Sequence, residues 1–347
     1  MPVEFKNEVI IPLLRQHMKG KTKESINFYF EHDTTRIQSS STFIFDTIVP
    51  NTSEHEYIGK QFSIMFTTAL QMLRDEHGIT RLDKRGEDII VVEQDNISIP
   101  FSASPEERIE ISFSGVDELG KVPSYEFVNI TRRARSMLSM SKSLDAGVSP
   151  IIVSSGSSYC AYSNVICVKP VNMVLPDVEI PYNTFSNLSK NLGSLPVKLY
   201  VDTTKRILLV ETNDNAVAML TYKKPNYDFL MAIDSRMNEL ESIGIFDITA
   251  FEPLDNLQKS FPNESITLSM YNDSTVGAIF SIGDGKSIRA GVKSLDTILN
   301  VVLSTTQFDV VYRMFKGTSK VEVSKGRDLV CFKGTDKTTL LLSGMTF

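Results

Sequence analysis

One pattern constrains this chain more than any other. A short amphipathic helix-like stretch, followed by two or three β-rich runs, recurs six times along 347 residues. Its clearest copy begins at Ile180, where IPYNTFSNLSKNLG precedes VKLYVD, RILLVET and AVAMLTY. Another begins at Phe246, with FDITAFEPLDNLQKSFP, SITLSMY, TVGAIFSI and SIRAGV. A unit of this size cannot bury its apolar face alone, so copies must stack on one another. The pattern points to a ring or an array before it points to an enzyme.

The copies group in pairs, which predicts an α+β protein of three domains at 1–120, 121–233 and 243–347, each holding two helix-plus-sheet halves. In the first, NEVIIPLLRQHMKG reads as a helix ended by Gly20, and INFYFEHD, RIQSSST and FIFDTIVP read as strands. KQFSIMFTTALQMLRDEHG reads as a second helix with Phe62, Phe66, Ala69 and Leu73 on one face, before further strands across 79–103. DELGKVPSYEF, with Gly120 and Pro123 as breakers, reads as a linker into the helix FVNITRRARSMLSMSKSL. KKPNYDFLMAIDSRMNELESIG reads as an irregular connector. In the last domain LDTILNVVLSTTQ reads as a helix with no basic residue inside it, Lys293 standing just before it, and FDVVYRMFKG as a strand.

Composition removes several function classes. No apolar stretch approaches the roughly 20 residues that span a bilayer, and MPVEFKNEVIIPLL does not resemble a signal peptide. Three cysteines, Cys160, Cys167 and Cys331, lie in β-like runs and read as buried thiols of a reducing compartment, so a cytoplasmic location is expected. A net charge of −6 argues against a general basic coat, though not against a basic strip on one face. GDGKS at Gly283 fails as a phosphate loop, because the required first glycine falls at Phe280; it reads as a hairpin turn, as do RGED and NDNA. His17, His32, His55 and His77 show no metal-ligand spacing, and no GxSxG element occurs. No metal, no cofactor and no catalytic residue is expected.

The segment TRRARSMLSMSK carries the strongest charge pattern. Arg132, Arg135 and Lys142 are spaced to share a helix face, while Ile130, Ala134, Met137 and Leu138 fall on the opposite one. Arg15 and Lys19, Arg74, Lys190 and Lys259 add single charges on other helix candidates. Each also reads as an ordinary solvated helix face.

From Val178 to Tyr227 the run VEIPYNTFSNLSKNL, its strands and KKPNYDF resemble the middle domain of the bacterial-type DNA polymerase sliding clamps, the β-subunit family. Pro225 and Tyr227 keep that family's Pro-x-Tyr, without its preceding glycine. The chain ends in Ser343, Gly344, Met345, Thr346 and Phe347 where the family has a Met-Pro-Met-Arg type tail, and Met231 and Ile233 stand near the place of a pocket proline. Such divergence suits a phage-encoded member.

The resemblance implies three tandem clamp domains forming half of a closed ring, most simply a head-to-tail homodimer around double-stranded DNA. It implies a processivity factor without enzymatic activity, loaded by an ATP-driven clamp loader and tethering DNA polymerase and other clamp-binding-motif proteins. Arg15, Lys19, Arg74, Arg132, Arg133, Arg135, Lys142, Lys190 and Lys259 would face the DNA, sequence-independently, through phosphates. Val165, Leu175, Met231, Leu342, Met345 and Phe347 would border the partner-peptide groove, where methionine suits several occupants. The sheet edges expected to join protomers lie in RMFKGTSKVEV and Ile37–Val49. Two alternatives remain open: a clamp-fold platform for transcription or assembly that does not encircle DNA, and a β-rich structural or virion protein.

Overall fold

The computed structural model describes residues 2–18, 25–51, 57–65, 77–85, 89–94, 97–102, 108–138, 150–162, 164–212, 216–262, 264–282, 285–292 and 296–343. The chain forms two compact units, one of Met1–Val128 with Asn183–Lys223, the other of Asn129–Tyr182 with Lys224–Phe347.

In the first unit β1 (Val3–Lys6) runs into α1 (Asn7–Met18). Ile10, Ile11, Leu14 and His17 are buried at helical spacing, so α1 presents one closed face to the core. The Asn7 amide donates to the His77 carbonyl at 2.8 Å, and its oxygen accepts from Thr80, which fixes the corner between β1 and α1. The next strands are β2 (Ser25–Phe30), β3 (Thr34–Ser40), β4 (Ile44–Pro50), β5 (Gln61–Met65), β6 (Ile79–Lys84), β7 (Ile89–Gln94), β8 (Ile97–Ser102) and β9 (Asp117–Val122). One apolar core joins Val3, Phe5, Ile10 and Leu14 to Phe28, Phe30, Phe62, Leu82 and Val92.

The next described helix, α2 (Ser124–Leu138), buries Phe127, Ile130, Ala134 and Met137 at the expected spacing. Then come β10 (Ile151–Ser154), β11 (Ser157–Tyr162), β12 (Val165–Pro170), β13 (Val178–Ile180) and α3 (Tyr182–Asn191). β14 (Val197–Asp202), β15 (Ile207–Glu211) and β16 (Val217–Thr221) return to the first unit. The second unit resumes with α4 (Tyr227–Asn238), β17 (Glu241–Asp247), a 3-10 turn (Ile248–Phe251) and α5 (Glu252–Gln258). It ends with β18 (Ser265–Tyr271), β19 (Val276–Ile282), β20 (Lys286–Ala290), β21 (Thr297–Ser304), α6 (Thr305–Phe315), β22 (Lys320–Lys325), β23 (Leu329–Gly334) and β24 (Thr339–Ser343).

Among the described residues each unit contains one four-stranded and one eight-stranded antiparallel sheet. The first unit has β1-β6-β7-β8 and β5-β2-β3-β4-β16-β15-β14-β9; the second has β20-β19-β18-β21 and β13-β10-β11-β12-β24-β23-β22-β17. Two rules generate all four. Among the described helices, the strand leading into one helix joins the three strands that follow the other helix of its pair, β9 with β14 and β13 with β10, β17 with β22 and β21 with β18; at the start of the chain β1 joins β6 and β5 joins β2 in the same exchange. The third strand after a pair's first helix then joins the third strand after the next pair's second helix, β4 with β16 and β12 with β24. The repeat extends to side chains: Phe127 stacks on Phe185 at 5.3 Å and Phe251 on Phe308 at 6.4 Å, each pair at the entry of two neighbouring helices.

Five expectations are corrected. Gln61–Met65, expected as the first turns of a helix, is strand β5; the rest of that expected helix, 66–76, lies outside the described residues. The linker is β9 and the start of α2, and the irregular connector is α4 and β17. In the last third the order is reversed: Thr297–Ser304 is a strand and Thr305–Phe315 a helix. Alternating burial marks the strand, and a reciprocal cap starts the helix, Gln307 N donating to Ser304 Oγ and Ser304 N to Gln307 Oε1. Finally, β3, β4 and β22 are interior strands, so neither Ile37–Val49 nor the strand part of RMFKGTSKVEV is an edge.

Candidate nucleic-acid face and partner surface

In the first unit α1 and α3 are tied together where Gln16 Nε2 donates to the Asn191 carbonyl at 2.7 Å. Arg15 and Lys190, one residue before each partner, are both exposed. Their charges therefore stand on neighbouring helices. Lys19 and Arg74 lie outside the described residues.

In the second unit the C-terminal half of α2 lies against α6, with Arg133 Nη1 3.7 Å from Met314 Sδ. Arg132 and Arg135 are exposed on α2, opposite the buried Ile130, Ala134 and Met137. Arg133 differs from both. Its side chain is 14% exposed, and Nη2 donates to Asp336 Oδ2 at 2.6 Å. Lys169 Nζ reaches the same oxygen at 3.0 Å. Burial pulls the Asp336 carboxyl upward, but Lys169, the Thr338 amide and Arg133 outweigh it and hold the pKa down at about 2. Arg133 is thus spent in part on a fixed internal anion.

Sequence reading missed Arg313, because its helix was taken for a strand. Arg313 stands on α6, exposed, with Nε 2.7 Å from Asp309 Oδ1. Together Arg132, Arg133, Ser136, Arg313, Met314, Gly317, Thr318, Thr335 and Asp336 line a cleft of about 400 Å³. Lys259, after α5, is exposed but bonded to Asp255 at 2.6 Å. Lys142 lies outside the described residues.

The expected groove residues separate. Val165 and Leu342 are register partners across β12 and β24, and both are fully buried. Alternation puts their neighbours Ile166 and Leu341 on the other sheet face, where Leu341 packs with Ile152, Tyr159, Cys331 and the α4 residues Leu230 and Ile233. Val165 and Leu342 are core rather than groove. Met231, by contrast, is 62% exposed on the outer side of α4. Tyr227, one turn earlier, donates to Asp177 Oδ2 at 3.1 Å and so ties α4 to the loop carrying Val174 and half-buried Leu175. Val174 and Tyr227 are exposed; neither stood among the expected groove residues, though Tyr227 belongs to the Pro-x-Tyr match. Met345 and Phe347 lie outside the described residues.

Other features lack reactive chemistry. All three cysteines are buried, and burial pushes each thiol up to about 12. His17 is enclosed between Ser39 and Thr47 hydroxyls, 2.8 Å from each. Among the described residues no cluster of His, Cys, Asp or Glu could hold a metal ion, and no helix is long and apolar enough to cross a membrane.

No protein-family model matches the sequence, and no curated protein is significantly similar to it. Solved structures do match. A DNA polymerase sliding clamp from Caulobacter crescentus superposes with a TM-score of 0.77 at 12% identity, covering 100% of both chains. One from Bacillus subtilis gives 0.77 at 10% identity, covering 100% of this chain and 99% of that one. The DNA polymerase III subunit beta from Pseudomonas aeruginosa gives 0.76 at 10%, with both chains fully covered. With superposition over the full length, this chain has the three-domain α+β fold of the bacterial DNA polymerase III beta sliding clamps.

Proposed function

We propose that the protein is a DNA sliding clamp, a processivity factor that encircles duplex DNA and tethers DNA polymerase to it. The observation that carries this reading is the clamp fold over the entire chain. A clamp needs no covalent chemistry. It needs cations that meet phosphates without reading bases, and exposed Arg15, Lys190, Arg132, Arg135 and Arg313 on helices α1, α3, α2 and α6 suit that task. Such contacts are sequence-blind and salt-sensitive; closure around the duplex supplies retention.

The strand-pairing rule supports head-to-tail closure. Its two observed joints are β4·β16 and β12·β24. The third joint of the same kind would pair β20, the third strand after the last pair's first helix, with β8, the third strand of the run β6-β7-β8 that β1 joins. Both strands are outer members of their four-stranded sheets. Supplied by two copies, this pairing is heterologous and closes a ring of two when the rotation closes. Ile288 on β20 and Ile97 on β8 are exposed apolar residues at these edges. Partner peptides, from the polymerase and other clamp-binding-motif proteins, would dock on Val174, Leu175, Tyr227 and Met231, and an ATP-driven loader would open the ring. On this reading the protein works in the cytoplasm, the host's where the chain is phage-encoded.

Light scattering combined with retention on nicked circular and linearised DNA tests the proposal. A dimer whose retention after loading vanishes when the circle is cut is the expected result. A monomer, or equal behaviour on both DNAs, sinks the encircling clamp and favours a clamp-fold platform that does not enclose DNA.

A further inference from the structure

The second unit's four-stranded sheet, β20-β19-β18-β21, has two outer strands, and the β8·β20 joint would use only one of them. The other, β21, pairs with β18 on one side. Among the described residues no backbone group of 297–303 bonds to backbone outside that ladder. Such an edge carries open N–H and C=O groups that invite another strand. The ladder is regular over 299–304, but beyond Leu299 the register shifts and Ile298 has no partner on β18. A bulge of this kind ends pairing and re-aims its side chain. At this point a cleft of about 420 Å³ opens, lined by β21 residues 297–300 and by Lys325, Gly326 and Arg327 at the turn between β22 and β23. Its lining holds two cations and no acid; Asp328, next to Arg327 in sequence, lies outside it. Arg327 is exposed and Lys325 half-buried, and neither forms an ion pair among the described residues.

We propose that the outer edge of β21 and this cleft form a docking site for an extended acidic peptide of a partner protein. The peptide adds a short strand to β21, and main-chain hydrogen bonds along 299–303 supply the attachment. The bulge at Ile298 ends the pairing, and the peptide's carboxylates then meet Lys325 and Arg327 across the cleft. Charge complementarity chooses the occupant: a basic or purely apolar strand would leave both cations unmatched. The site lies on other elements than the apolar surface around Met231 on α4, and it requires neither DNA nor a closed ring.

The probe is a labelled peptide of about eight residues, alternating threonine and valine and ending in two aspartates, long enough to pair along β21. Anisotropy at low salt reads its binding. Lys325→Gln with Arg327→Gln should weaken binding about tenfold, the loss of two partly exposed ion pairs, with an unchanged circular dichroism spectrum. The same peptide with its backbone nitrogens methylated should lose at least as much, because it cannot donate to the edge. Lys320→Gln, an exposed cation at the other end of β22, is the charge control and should bind as wild type does. No binding by wild type, equal binding of the methylated peptide, or a double variant that binds like Lys320→Gln overturns the proposal. Two further outcomes also overturn it. A matching loss in Met231→Ser moves the peptide to the α4 surface. Binding that only displaces a self-association, itself broken by Val302→Lys on β21, gives the edge to a second copy. Retention on circular DNA is read separately, so the ring can fail while this site stands.

Discussion

Asp46 is a buried acid whose surroundings set its charge. Its side chain is 3% exposed, Oδ2 accepts from Arg36 Nη1, and Oδ1 has no partner among the described residues. Burial raises its pKa from 3.8 to about 6, against the pull of Arg36 and Arg108, and Glu31 adds to the rise. The folded state therefore holds this proton more tightly than the unfolded chain. The resulting stabilisation is complete below about pH 4 and is lost as pH rises through 6. Relative to Asp46→Asn, whose amide does not titrate, the wild type should gain on the order of 2 kcal/mol of stability between pH 6.5 and 4. Urea unfolding of both proteins across that range checks it; a constant difference would mean that Asp46 stays ionised beside Arg36. The same scale shows what the sequence can reveal. Spacing alone separates Arg132 and Arg135 from Ile130, Ala134 and Met137, because one helix has one period. It cannot separate Arg132 from Arg133, whose partner Asp336 lies 203 residues away. Nor can it assign Val165 and Leu342: VICV and TLLL are apolar on both faces, so alternation gives no hint of which face α4 covers.

At the scale of elements, most strands were legible because their apolar runs are short and bounded by turn residues. The helix at α6 was not, and the reason is local. TILNVVL is β-branched and alternates, with Leu299, Val301 and Leu303 buried and Asn300, Val302 and Ser304 exposed. STTQ after it is a capping-box start, not a helix end. Two local signals agreed, and a search for an amphipathic run passed over both. The cap gives a direct prediction. Ser304→Ala removes the acceptor for Gln307 N and should destabilise the protein by about 1 kcal/mol, whereas Ser304→Asp, which keeps an acceptor and suits the positive end of the helix, should not. Thermal unfolding of the two variants distinguishes them; equal losses would mean that the hydroxyl–hydroxyl contact with Thr306, rather than the cap, holds this corner. Edge control is a second device at this scale. β9 and β17, one outer strand of each eight-stranded sheet, each carry an irregularity near a glycine, Gly120 and Gly244. A bulge twists an edge away from further pairing. β20 pairs with β19 without such a shift in register.

At the scale of the whole molecule, the sixfold repeat was readable, but its wiring was not. Nothing in a strand's own residues says that β1 belongs with β6 rather than β2, since pairing choice depends on where the intervening helix returns the chain. The exchange of leading strands leaves the third strands to meet at β4·β16 and β12·β24. Because a two-protomer ring contains the β8·β20 joint twice, any defect in it is felt twice. Ile288→Asp replaces an exposed apolar side chain on β20 with a charge, at the register position of Phe280 on β19. Losing roughly 2 kcal/mol of apolar burial at each joint weakens the dimer by about a thousandfold, while the isolated chain, where Ile288 already meets water, keeps its stability. Sedimentation should therefore show a monomer with an unchanged melting temperature at low protein concentration. A stable dimer in this variant would move the contact away from β20, and with it the argument that one pairing rule builds both the chain and the ring.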